Sequence, residues 1–186
     1  MDSFWKSTRY VRVYDNILEA DFCKSIIEKF EKYPEQHEKH QHGLMSFTQL
    51  DLGKHENWKE ESDVIYNRLM HCVARYANDC NIRPNAWPKD YGYENIRIKR
   101  YLPDGVDEFD THVDVHNYNN ARRFLVFFAY LDDNDEGGTH LSDYGIVSPC
   151  KKGSVLVFPP MWPWEHRGAK PVDKPKYMVG SYLHYV

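Results

Sequence analysis

The fold of this chain is decided by the stretch Thr111-His-Val-Asp114, by the apolar run Phe124-Leu-Val-Phe-Phe-Ala-Tyr-Leu131 that follows it, and by His166 further on. In an extended strand alternate side chains lie on one face, so His112 and Asp114 point the same way and can hold one metal ion. A third ligand from His166 would complete a set of two histidines and one carboxylate, which leaves three positions of an octahedral ion open. The sequence therefore predicts a metal site.

The surroundings of the His-x-Asp triplet strengthen this prediction, because one such triplet is a weak signal in a chain with ten histidines. A strand pattern at 94–102 precedes the triplet, and Gly137-Gly138 and the strand pattern at 153–159 follow it. Two other histidines compete as ligands, His116 and His140, but neither has a carboxylate two residues on. The preferred ligand set remains residues 112, 114 and 166.

With these motifs in this order, residues 90–186 resemble the Fe(II)- and 2-oxoglutarate-dependent dioxygenases, and within them the prolyl 4-hydroxylase-like branch. The resemblance implies Fe(II), 2-oxoglutarate and O2 as cofactors, with ascorbate as an optional addition. Carried over residue by residue, it implies that the catalytic residues are the iron ligands His112, Asp114 and His166.

The resemblance also implies where 2-oxoglutarate binds. Lys176, ten positions after the second histidine, would pair with the distal carboxylate, and Tyr101 would contact the same co-substrate. Lys174 is a rival anchor, because it lies two residues away and therefore on the same strand face. A lysine suits one carboxylate end, since it presents a compact point charge.

Two further residues are candidates for substrate binding. Arg123 matches the strand arginine of the family, and it would either form an ion pair with Asp132 or Asp133 or contact the substrate. Trp162 lies in a stiff, aromatic loop of residues 159–164, which would either line the substrate entrance or plug the end of the barrel. A threonine of the family pattern is Val126 here, a departure that bears on subfamily and substrate more than on reaction.

Length and periodicity predict one domain over residues 1–186, mostly β with N-terminal helices, with a double-stranded β-helix, or jelly roll, as its core. Residues 1–89 would supply a strand at 10–14 and two supporting helices, one from about Leu18 to Pro34 and one over 57–81. The histidine-rich tract 35–57 is predicted to be a solvated loop. The core would occupy 90–186, with strands at 94–102, 109–115, 122–131, 138–141, 145–148, 153–159, 164–167 and 176–185.

Composition narrows the class of protein. The net charge of −4 argues against a general nucleic-acid binder, and no apolar run reaches the length of a membrane span. The four cysteines form no C-x-x-C pair, Cys23 and Cys72 fit buried positions of helices, and the chain begins without a secretory signal. We therefore expect free thiols and a cytoplasmic location.

The sequence thus predicts an enzyme that hydroxylates a C–H bond and releases succinate and CO2, with a prolyl residue of a peptide or protein as the leading substrate. A free amino acid or another small metabolite is the main alternative, and a nucleobase is a weaker one. A jelly-roll binding module without a working metal is the alternative from another class. The oligomeric state is not predicted.

Overall fold

The computed structural model describes residues 9–43 and 45–186. The N-terminal part contributes two α-helices, each with an apolar face at a spacing of three to four residues. Helix α1 spans Ala20–Lys32 and buries Cys23, Ile26 and Phe30, and helix α2 spans Lys59–Asp79. Pro34 starts a 3-10 turn directly after α1, because proline lacks the N–H that would continue the helix. Both helices were predicted, and their ends lie within about two residues of the predicted ones.

Twelve strands lie within the described residues: β1 (Arg12–Tyr14), β2 (Glu38–His42), β3 (Met45–Asp51), β4 (Tyr91–Tyr93), β5 (Arg97–Tyr101), β6 (Glu108–His112), β7 (Arg123–Tyr130), β8 (Asn134–Leu141), β9 (Ile146–Cys150), β10 (Val155–Phe158), β11 (His166–Gly168) and β12 (Lys176–Tyr185). They pair only as antiparallel neighbours, in the order β1-β10-β7-β12-β5-β3-β6-β11-β8-β9, with β2 on β3 and β4 on β12. The predicted jelly roll is confirmed.

The core between the helices and the sheet explains why the apolar run is central. Leu125, Phe127 and Ala129 of β7 pack in one cluster with both helices, whereas Val126 and Phe128 pack on the other face. Alternate side chains of β7 therefore point into two different apolar layers, which explains why the sequence of this strand is hydrophobic at every position. The second layer also contains Phe158 and lies beside the predicted metal site.

The prediction of a solvated loop over 35–57 is wrong. Strands β2 and β3, at 38–42 and 45–51, pair with each other, and β3 is inserted between β5 and β6 within the sheet. The strand escaped detection because polar side chains occupy much of it, among them Ser46, Thr48 and Gln49, which are buried nonetheless. Hydrophobic periodicity finds a strand only where its inner face contacts an apolar core.

The remaining predictions for this part are mixed. The predicted strand at 10–14 appears as β1, and β4 was not predicted. Cys23, Cys72, Cys80 and Cys150 are all free and buried, as expected for thiols in a core. None of the helices in the described ranges has the length and apolar character needed to cross a membrane.

Candidate metal and co-substrate site

The three predicted metal ligands come together at the meeting point of two strands. His112 ends β6, His166 begins β11, and the two residues are direct partners in the antiparallel register. Asp114 follows two residues after His112, where Pro160 accepts a hydrogen bond from its backbone N–H. One ligand atom from each side chain lies within 4.8 Å of the others.

Hydrogen bonds to the backbone orient both imidazoles. Nδ1 of His112 lies 2.7 Å from the Asp110 carbonyl, and Nδ1 of His166 lies 3.1 Å from the Trp164 carbonyl. A ring that donates from Nδ1 presents Nε2 as a lone pair, which is the tautomer a metal requires. The rings are thus fixed with both Nε2 atoms toward Asp114, at 3.6 Å from Oδ1 for His112 and 3.5 Å from Oδ2 for His166.

The ligand atoms themselves have no hydrogen-bond partner among the described residues. His112 Nε2, His166 Nε2 and Asp114 Oδ2 are buried without a hydrogen bond to any described residue. Buried polar atoms are nearly always satisfied, and leaving one unpaired costs about 1–3 kcal/mol. Three such atoms converging on one point fit a bound divalent cation, for which two imidazoles and a carboxylate are suitable donors.

The surroundings keep Asp114 and His166 in the protonation states that a metal needs. Burial by itself raises the pKa of the Asp114 carboxyl, but His112, His166 and the Tyr182 hydroxyl outweigh it and lower that pKa to about 2. Burial lowers the pKa of the His166 imidazole to about 4. Above that pH the carboxylate is ionised and His166 is neutral, so neither has to lose a proton to bind metal.

Tyr182 belongs to this cluster of side chains, although the sequence did not reveal it. Its hydroxyl donates a hydrogen bond of 2.7 Å to Asp114 Oδ1, which leaves Oδ2 as the free oxygen. Phe109 stacks on the His112 ring at 3.6 Å between centroids, nearly parallel. The sequence did contain a signal for Tyr182. It lies on β12 an even number of positions after Lys176, so both side chains point to the same face of the strand.

Lys176 lies deeper in the barrel, where a narrow cavity connects it with the two histidines. Its side chain is 1% exposed, and no carboxylate of a described residue lies within 4.0 Å. Tyr101 is its register partner on β5, and the ammonium sits 5.2 Å from that ring. Burial lowers the pKa of Lys176 to about 8, so it remains charged at neutral pH with no counter-ion among the described residues.

A glycine lies beside this lysine in the narrow cavity. Gly168 on β11 lines the same cavity, and a Cβ at that position would lie 3.6 Å from the lysine nitrogen. The missing side chain leaves room next to the ammonium. Lys174, the rival anchor, is half-exposed and pairs with Asp132 at 3.6 Å, so it does not reach the cavity.

A larger cavity of about 580 Å³ opens on the other side of the ligand cluster. His112 and Asp114 line it, and so do Arg97 and Lys99 on β5. Lys99 lines both cavities, and burial lowers its pKa to about 8. The sequence did not single out either of the two basic residues, because a charged side chain on a strand is ordinarily solvated.

Of the two residues predicted to bind substrate, Arg123 lines the larger cavity and Trp162 does not. Arg123 lines the larger cavity, but its guanidinium pairs with Glu94 at 2.6 and 2.9 Å, so the proposed partners Asp132 and Asp133 are wrong. Those aspartates follow the far end of β7, about a full strand length away. Trp162 is 78% exposed and does not line this cavity.

The competing histidines do not join the cluster. His140 lies on β8 with its Nδ1 3.4 Å from an Arg167 nitrogen, and His116 is exposed, with its ring beside Asn120. Within the described residues, residues 112, 114 and 166 are the one group of side chains suited to hold a metal ion.

Comparison with known proteins relates the C-terminal half of the chain to one family. The family model of the 2OG-Fe(II) oxygenase superfamily matches residues 96–184, which include all three clustered ligands and Lys176. Over these residues, just under half of the chain, the protein is similar to this superfamily. Its cofactors are accordingly Fe(II), 2-oxoglutarate and O2, in agreement with the cluster of two histidines and an aspartate. No curated protein sequence matches the chain.

Solved structures with the same fold include several oxygenases. A viral collagen prolyl hydroxylase from Paramecium Bursaria Chlorella virus-1, in complex with 2-oxoglutarate, is 18% identical, with 95% of this chain and 96% of that chain covered and a TM-score of 0.71. A prolyl hydroxylase from Trichoplax adhaerens, in complex with a hypoxia inducible factor peptide, is 16% identical, with 95% and 84% covered and a TM-score of 0.72. The epimerase SnoN from nogalamycin biosynthesis is 12% identical, with 97% and 81% covered and a TM-score of 0.64. At these identities the likeness concerns the fold, which is prolyl 4-hydroxylase-like.

Proposed function

We propose that this protein is a 2OG-Fe(II) oxygenase that hydroxylates a C–H bond of a prolyl residue in a peptide or protein, with 2-oxoglutarate converted to succinate and CO2. The observation that carries the reaction class is the convergence of three buried, unpaired ligand atoms on one point. The prolyl substrate is supported by the fold shared with prolyl hydroxylases.

In this proposal His112, Asp114 and His166 hold the iron, and Lys176 with Tyr101 holds 2-oxoglutarate. When bound, iron and co-substrate together supply the activation of O2 and the oxidation of the C–H bond. The protein holds the reactants in place and keeps water away. Tyr182 fixes the orientation of Asp114 through its 2.7 Å hydrogen bond.

Lys176 supplies the counter-charge at the closed end of the site. A carboxylate buried there without a partner would cost several kcal/mol, and the buried ammonium compensates that cost. Phe109 and Phe128 line both cavities, so they form an apolar collar beside the ligand cluster. The larger cavity then receives the substrate, whose C–H bond is held next to residues 112 and 114.

The test is succinate formation from 2-oxoglutarate by iron-loaded protein after oxygen is admitted, with and without a proline-rich peptide. Asp114→Ala should abolish turnover, and Lys176→Ala should require a much higher 2-oxoglutarate concentration. His140→Ala is the matched control, because this histidine lies outside the ligand cluster, and it should retain turnover. Mass spectrometry should find one added oxygen atom on a proline of the peptide.

The outcomes separate the alternatives. Turnover that depends on Asp114 but ignores the peptide would keep the oxygenase and favour a free amino acid or another small molecule, for which the larger cavity also has room. Inversion of one stereocentre of the substrate without incorporation of oxygen would favour an epimerase. A protein that binds ligands equally well after Asp114→Ala, with no succinate formed, would be a binding module.

A further inference from the structure

Three cationic side chains line the larger cavity, and two of them are neutralised within the protein. Arg123 forms a two-pronged ion pair with Glu94, and Arg97 lies 3.3 Å from the same carboxylate and 3.8 Å from Asp51. Because these guanidinium groups already have carboxylate partners, they add little positive charge to the cavity. The third cation is Lys99.

Lys99 differs from the two arginines in its surroundings. Among the residues that the structure describes, no carboxylate lies within 4.0 Å of its ammonium group. The nitrogen lies instead over two aromatic rings, 4.6 Å from the centroid of Phe47 and 5.2 Å from that of Phe109. A cation held on aromatic faces is positioned without being neutralised, so its charge remains available to an anion.

The position of Lys99 indicates which anion it would meet. It lines the narrow cavity together with Lys176 and the larger cavity together with His40 and Gln49, so Lys99, like His112, borders both spaces. In the proposed function the distal carboxylate of 2-oxoglutarate is bound by Lys176. Lys99 is a second cation, and it borders the cavity that the proposed function assigns to the substrate. An anionic group of the substrate would neutralise its charge.

We propose that Lys99 binds a carboxylate of the substrate and thereby selects substrates with an acidic group next to the C–H bond that reacts. This inference rests on the proposed function, because it assigns the larger cavity to the substrate. The carboxylate has two sources, the side chain of an acidic residue beside a prolyl residue and the α-carboxylate of a free amino acid. The chemistry at Lys99 is the same for both.

The test compares binding of two matched pairs of ligands to the iron-loaded protein with 2-oxoglutarate under anaerobic conditions, by calorimetry. One pair is acetyl-Ala-Pro-Glu-Ala-amide and its Gln counterpart, and the other is L-proline and L-prolinamide. Lys99→Met keeps the long apolar stem on the two rings and removes the charge, whereas Lys99→Arg retains a cation. Lys24→Met, on the exposed face of α1, is the control for a lysine-to-methionine change.

For wild type, the carboxylate member of at least one pair should bind about tenfold more tightly or better, as expected for a charge-assisted contact. Lys99→Met should remove this preference, while Lys99→Arg and Lys24→Met should keep it. The pair that shows the preference identifies the source of the carboxylate. Affinity for 2-oxoglutarate should stay within about threefold of wild type in Lys99→Met.

Four results would overturn the inference: binding of none of the four ligands, no preference in wild type, a preference that persists in Lys99→Met, or a tenfold loss of 2-oxoglutarate affinity in that variant. The last result would assign the charge to the co-substrate. Failure of the proposed function is a different observation, because then no oxygen is transferred to proline although the preference in binding remains.

Discussion

Replacing Lys176 by methionine should stabilise the protein that lacks co-substrate and prevent tight binding of 2-oxoglutarate. Burial lowers the pKa of this lysine from 10.5 to about 8. Since one pKa unit corresponds to about 1.4 kcal/mol, burial disfavours the charged form by about 3 kcal/mol. Methionine fills a similar volume without a charge, so the free energy of unfolding at pH 7 should rise by up to about 3 kcal/mol.

The same substitution should weaken 2-oxoglutarate binding. Removing one partner of a buried, hydrogen-bonded charge pair costs roughly 2–5 kcal/mol, which corresponds to at least about a 30-fold increase in Kd. A lysine that merely supported the fold would give the opposite pair of results, namely lower stability and unchanged binding. The combination of a more stable protein and lost binding is therefore specific to a ligand-binding charge.

The pH dependence gives the sign of the effect on stability. Below pH 8 the lysine is charged in both the folded and the unfolded chain, so the whole penalty is present. Between about pH 8 and 10.5 the folded protein releases the proton first, and wild-type stability rises relative to the variant. The difference between the two proteins should therefore shrink as the pH increases through this range.

Urea denaturation at pH 7 and pH 10, without metal, measures the stability difference, and calorimetry with anaerobic Fe(II) protein measures binding. Lys174→Met is the matched control, because that lysine is half-exposed and pairs with Asp132 on the surface. It should change neither quantity by more than about 0.5 kcal/mol. The reasoning would be refuted by a Lys176→Met protein that is less stable at pH 7 and binds 2-oxoglutarate as wild type does.

Three further substitutions test the site and the fold. Tyr182→Phe removes the hydrogen bond to Asp114, so the affinity for Fe(II), measured by competition with a chelator, should fall about 10-fold or more. Gly168→Ala should leave the melting temperature nearly unchanged, yet raise the Kd for 2-oxoglutarate, because the added methyl group lies 3.6 Å from the Lys176 nitrogen. Gly153→Ala should lower the free energy of unfolding by about 2–4 kcal/mol, since it combines a φ of +76° with a clash against a neighbouring backbone carbonyl.

Each of these predictions has its own contrary result. Unchanged chelator competition in Tyr182→Phe would remove that tyrosine from the metal site, and unchanged 2-oxoglutarate binding in Gly168→Ala would place the co-substrate elsewhere. For Gly153 the control is Gly105→Ala, which has the same φ of +76° but open space around the new Cβ. Equal destabilisation of the two variants would attribute the whole effect to φ.

Local patterns in the sequence were sufficient for much of the fold. The two helices follow from apolar residues at helical spacing, and eight of the strands follow from alternation after Pro88. What these patterns missed were β2, β3 and β4. Strand β3 presents polar side chains such as Gln49 toward a cavity. Hydrophobic periodicity identifies a strand by the apolar residues on its inner face, so it does not detect a strand whose inner face is polar.

The sequence by itself determined which residues were candidates for the metal site, because His112 and Asp114 are two positions apart and the order of motifs around them resembles one family. Only the tertiary structure showed which side chains surround the site. The Tyr182 hydroxyl contacts Asp114, the Glu94 carboxylate pairs with Arg123, and Lys99 borders the two cavities without a carboxylate partner among the described residues. The physical reason is that charge neutralisation and burial depend on neighbours from distant strands, and spacing along one chain segment does not contain that information.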